Sequence, residues 1–91
     1  MKSEAYNKSS YRVMRGVSFW LWNFKCYFCD ATSQALEAHH INGNNLDNNL
    51  QNLVPVCPAC HKMVHRVSIK FHVSNIKIVS LLLQKVKFYI P

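Results

Sequence analysis

The chain has 91 residues, 49% of them hydrophobic, and carries 11 Lys+Arg against 4 Asp+Glu for a formal charge of +7. That length makes one domain whose core is marginal without a staple, and that charge points to an anionic partner such as nucleic acid. The apolar run Phe19 to Phe24 and the Leu81–Leu83 triplet are far too short to cross a membrane, and no signal-peptide pattern opens the chain, so a cytoplasmic protein with reduced cysteines is expected.

Met1 to Ser9 is polar and without periodicity, the pattern of a flexible arm. Ser10 then stands as N-cap for a predicted helix over Tyr11 to Phe24, with Val13, Val17, Trp20, Leu21 and Phe24 as its apolar stripe. Gly16 weakens that helix by about 1 kcal/mol. Arg12 and Arg15 fall off the stripe, where they meet either water or a nucleic-acid phosphate. The aromatics at the end of the helix are expected to pack over the cysteine knuckle that follows.

Cys26-x-x-Cys29 and Cys57-x-x-Cys60 are two clamps with 27 residues between them. Each brings two sulfurs to one point, and two such clamps complete a tetrahedron around one zinc ion, whose charge the thiolates neutralise. A thioredoxin-like site explains one clamp but not two, and Cys57–His61 also fits a haem-attachment pattern that would leave the first clamp idle. Structural Zn²⁺ is therefore the expected occupant.

Between the clamps, Ala35 to Ile41 reads as a strand carrying Glu37, His39 and His40, with Leu36 and Ala38 on its other face. Adjacent histidines on a strand point to opposite sides, so both can work only if one binds a metal while the other faces a substrate, or if the strand ends there. Asn42 to Asn49 is a Gly/Asn/Asp loop whose asparagines read as turn chemistry. Leu50 to Val56 is a second strand with Asn52 near its start, and Leu46, Leu50, Leu53 and Val56 are candidate core residues. Pro58 suits the first position of a helix predicted from about Ala59 to at least Arg66. His61 and His65 lie one turn apart on that helix, the spacing that offers two imidazoles to one cation. With the cysteines committed to zinc, that cation is a second one.

In the tail, Val67, Ile69, Phe71 and Val73 alternate with polar residues as in a strand, although they could also extend the preceding helix. Ile76 to Val86 is predicted helical, capped by Ser74 or Asn75, its apolar face covering the core or forming a dimer contact. Both monomer and homodimer stay open. His72 lies outside both constellations and reads as a surface residue.

Taken together, EAHHI at Glu37–Ile41, NLVPVC at Asn52–Cys57 and CHKMVH at Cys60–His65 resemble the HNH endonucleases, in the version stapled by a four-cysteine zinc. His40, Asn52 and His61 align with the three motif letters. Many relatives carry Asp-His where this chain has His39-His40, though nucleases of the colicin type also use a His pair. The resemblance implies a small α+β fold, a treble-clef-like ββα-metal motif (His-Me finger) with flanking N- and C-terminal helices. It further implies that His39, His61 and His65 hold a catalytic Mg²⁺, Mn²⁺ or Ni²⁺, that His40 is the general base, and that Asn52 pins the loop that aims it. Glu37 would orient a ligand imidazole, and Arg12, Arg15, Lys62 and Arg66 would contact DNA. The expected reaction is phosphodiester hydrolysis leaving a 5′-phosphate and a 3′-hydroxyl. The alternatives are a non-catalytic zinc-stapled module that binds nucleic acid and a zinc-stapled protein adaptor.

Overall fold

The structure, a computed structural model, describes residues 8–32, 35–67, 71 and 73–87. The expectations for the arm before Lys8, for most of the 67–73 alternation and for His72 lie outside the described residues.

Helix α1 spans Lys8–Leu21, so Ser10 lies inside it rather than capping it. The inward face is the buried Ser18 and Leu21 with the half-buried Met14 and Val17, while Val13 is 62% exposed and Phe24 55% exposed. Those two expected core residues are therefore not in the core. The stripe is rotated because the polar Ser18 belongs to it: its Oγ donates to the Leu53 carbonyl at 2.7 Å and is fully buried. Losing that donor strands a buried carbonyl. Ser18→Ala should accordingly lower stability by about 1–3 kcal/mol, read as a shift of the denaturant midpoint with unchanged slope.

The helix ends three residues earlier than its apolar pattern predicts. Asn23 adopts φ 60 and supplies the left-handed cap that glycine usually provides. Phe24 N–H bonds the Phe19 carbonyl at 2.8 Å and Asn23 N–H bonds that of Trp20 at 3.1 Å, the paired bonds of a Schellman ending. The chain then turns into the first knuckle, a tight loop closed by Cys26 N–H to the Ala31 carbonyl and Asp30 N–H to the Cys26 carbonyl, both 2.9 Å. As expected, aromatics pack here: Trp22 meets Tyr27 edge-on with ring centroids 5.0 Å apart.

Strand β1, Glu37–His40, is shorter than predicted and pairs antiparallel with β2, Leu53–Val56, in the register Glu37↔Val56 to His40↔Leu53. All four residues of β2 are buried, Pro55 included; its carbonyl accepts from the Tyr27 N–H at 2.8 Å and ties the knuckle to the sheet. Leu50–Asn52 is one turn of 3-10 helix, so Asn52 precedes the strand instead of beginning it. Leu46 is 45% exposed, on the loop rather than in the core. Helix α2 runs Pro58–Val67 and α3 runs Asn75–Val86, the latter capped by Ser74, whose Oγ accepts from Lys77 N–H at 3.1 Å. The core joins α1, the sheet, the knuckle and α3 through Leu21, Cys26, Ile41, Val54, Val56, Val73 and Ile78. The result is a small α+β unit in which β1, β2 and α2 form the ββα motif.

Candidate metal centre

The two clamps converge. The sulfurs of Cys26, Cys29, Cys57 and Cys60 all lie within 4.8 Å of one another, and those of Cys29 and Cys57 are 3.8 Å apart. A tetrahedron with zinc–sulfur bonds of 2.3 Å has edges of about 3.8 Å. The thiols are unbridged. Burial alone would raise the Cys26 pKa, but backbone hydrogen bonds from Cys57, Cys29 and Phe28 outweigh it and hold the group at about 6. Cys60 is pushed up to about 12, chiefly by its hydrogen bond with Cys57 and then by burial. The Ala31 backbone favours the Cys29 thiolate, yet the Cys26 sulfur and burial leave that thiol raised. One sulfur thus takes a negative charge readily while its neighbours resist a second. A dication in the middle removes that repulsion, so the donor set fits zinc.

On the sheet face turned toward α2, His39, His61 and His65 bring one ring nitrogen each to within 4.8 Å of the others. The strand places His39, 5% exposed, beneath the two imidazoles that α2 presents one turn apart. Ring centroids lie 5.2 Å from His39 to His61 and 5.5 Å from His39 to His65. The Nε2 atoms of His61 and His65 approach to 3.0 Å. His39 Nε2 is buried and has no hydrogen-bond partner among the described residues. Burial, then the nearby charges of His61, His65 and His40, depress its pKa to about 4, so it is neutral at pH 7. A buried unpaired nitrogen costs about 1–3 kcal/mol, a cost that a bound cation removes. Glu37 completes the arrangement: its Oε1 accepts from His61 Nδ1 at 2.6 Å, which leaves the His61 Nε2 lone pair directed at the same point. The residues present fit a divalent ion.

His40 stands apart from this cluster. Its Nε2 is 2.8 Å from Asn48 Oδ1, and its ring stacks on Tyr11 with centroids 5.9 Å apart and planes 25° from parallel. The intervening loop is built from side-chain-to-backbone bonds: Asn42 Oδ1 accepts from Asn44 N–H, Asn44 Oδ1 from Leu46 N–H, and Asp47 Oδ1 from Asn49 N–H. Gly43 takes φ 79 in its turn. Asn52, 2% exposed, closes the loop from inside. Its Oδ1 accepts from Asn42 N–H and its Nδ2 donates to the Asp47 carbonyl, each at 2.8 Å.

The four basic candidates divide. Lys62 and Arg66 are exposed on α2 and share with Glu37, Pro58, His61 and His65 an open groove of about 570 Å³ beside the imidazoles. Arg12 and Arg15 are exposed on α1, Arg15 with its guanidinium 5.6 Å from the Tyr11 ring centre and so near the His40 stack. The contacts that sequence reasoning did not find are Asn48 and Tyr11 against His40. No spacing rule marks either one.

A two-strand sheet, a following helix bearing two of three clustered imidazoles, and a four-cysteine cluster at its base define a ββα-metal fold. Residues 26–66 match the family model of the HNH endonuclease, which covers both clamps, all of the clustered histidines and Asn52. Neither curated proteins nor solved structures give a significant match to the chain. Among the described residues, no helix is long and apolar enough to cross a membrane.

Proposed function

We propose that the protein is a metal-dependent endonuclease of the HNH type that hydrolyses DNA phosphodiester bonds. The observation that supports this most is the convergence of one ring nitrogen each from the buried His39 and from His61 and His65, with His40 next in the chain but bonded to Asn48 instead. A divalent ion bound there would supply Lewis-acid stabilisation of the scissile phosphate and of the leaving oxygen. His39, His61 and His65 hold it, and Glu37 keeps His61 in the tautomer that can do so. His40 takes the proton from the attacking water, a duty suited to an imidazole at neutral pH. Asn52 has no useful basicity and acts by holding the 41–52 loop closed. Lys62 and Arg66, beside the imidazoles, receive the phosphate backbone, and the exposed Arg12 and Arg15 on α1 add basic contacts of their own. The four cysteines bind Zn²⁺ as a staple and take no part in the reaction.

A duplex labelled at one end, incubated with the protein and Mg²⁺, Mn²⁺ or Ni²⁺, should yield fragments carrying a 5′-phosphate and a 3′-hydroxyl. Retention of the label on full-length DNA with all three ions, despite binding, would instead support a non-catalytic zinc-stapled module reading nucleic acid through its +7 charge.

A further inference from the structure

The loop between the strands holds a side-chain acceptor that reaches the His40 ring. Asn48 Oδ1 sits 2.8 Å from His40 Nε2. Its neighbours on both sides are pinned: Asp47 gives its carbonyl to Asn52 Nδ2 at 2.8 Å, and Asn49 donates both its backbone N–H and its Nδ2 to Asp47 Oδ1. Asn52 thereby fixes the backbone immediately before Asn48, but the side chain that reaches His40 is that of Asn48. Tyr11 covers one face of the ring. An imidazole held at one nitrogen and on one face has its direction and its tautomer set together.

We propose that Asn48 is the positioning residue for His40: its side-chain oxygen accepts the Nε2 proton, which leaves Nδ1 as the nitrogen that receives the proton from water, and Asn52 acts on His40 through it. The inference rests on the nuclease reading for the catalytic half of its meaning. It adds a residue outside the three motif positions and a direction of coupling. Asn48→Leu keeps roughly the side-chain volume and removes the acceptor, whereas Asn48→Asp keeps an acceptor oxygen.

The test joins two readouts. In ¹⁵N-resolved spectra of the zinc-loaded parent, at a pH where the ring is neutral, His40 should carry its proton on Nε2, protected from exchange. Asn48→Leu should lose that protection. In plasmid cleavage Asn48→Leu should lower kcat on the order of 10–100-fold, the scale seen when a partner that orients a metal-bound imidazole is removed, with KM unchanged. Asn48→Asp should recover most of the loss. Combined with Asn52→Ala, Asn48→Leu should add less than about twofold, because coupled residues fail to act additively. A parent ring protonated on Nδ1 overturns the proposal, as do equal losses in the Leu and Asp variants or a loss carried by KM. An active parent whose His40→Ala variant is inactive while Asn48→Leu is fully active overturns Asn48's role alone. A parent that cleaves nothing overturns the nuclease reading and the catalytic half of this one, while the spectra still decide whether Asn48 holds the ring.

Discussion

His40→Ala is expected to lose cleavage on the order of 10²–10⁴-fold, the range for removing a general base, while both metal sites and DNA affinity stay close to those of the parent. The expectation follows from geometry. His39 and His40 are adjacent, yet His39 faces His61 and His65 whereas His40 meets Asn48 and Tyr11. Truncating His40 removes no atom from the imidazole cluster and no charge from the basic groove. His61→Ala should behave differently, because it removes a ligand and orphans Glu37. There the affinity for the catalytic ion falls, and excess ion restores part of the rate. Steady-state cleavage at several metal concentrations separates the two variants. Equal responses to added ion would put His40 and His61 in the same role and contradict the assignment.

The largest effect on the fold should come from the cysteines. Cys26→Ser or Cys57→Ser is expected to abolish cooperative folding at ordinary temperature. Structural zinc supplies on the order of 10–16 kcal/mol of apparent binding free energy in small domains, against a total stability of roughly 5–15 kcal/mol for a typical domain. Cys26 is itself 1% exposed and belongs to the core, so its replacement by a hydroxyl also buries a poorly matched polar group. Circular dichroism and elemental analysis check this together. A serine variant that holds no zinc and melts like the parent would remove the staple from the account.

What could be read from the chain alone was what depends on spacing. Two CxxC turns and an i, i+4 histidine pair are local geometry, so the thiol cluster and the α2 half of the imidazole cluster follow from residue numbers. The family likeness implies a role for Asn52 in holding the loop, and its side chain bonds the Asn42 N–H and the Asp47 carbonyl there. Misread positions share another cause. Hydrophobicity alone puts Val13 on the buried stripe of α1, but Ser18 occupies the buried face because its hydroxyl satisfies the Leu53 carbonyl, and Val13 lies at the surface. Phe24 looked like one more helical turn, and Asn23 ends the helix there without glycine. Leu46 reads as core by its hydrophobicity, yet it sits on a loop shaped by Asn and Asp side chains that carry it outward. Asn48 was indistinguishable from its fellow asparagines, since only the folded loop decides which of them reaches His40.

On the proposed reading, catalysis belongs to a second ion, held by His39, His61 and His65, and the cysteine-bound zinc alone is silent. Protein carrying one zinc per chain should be titrated with Mn²⁺ while ion binding and supercoiled-plasmid cleavage are followed in the same samples. No cleavage is expected at one zinc per chain, and a rate that rises in step with occupancy of one further site and is lost in His39→Ala. Cleavage at full rate before any second ion binds, or undiminished in His39→Ala, would contradict it.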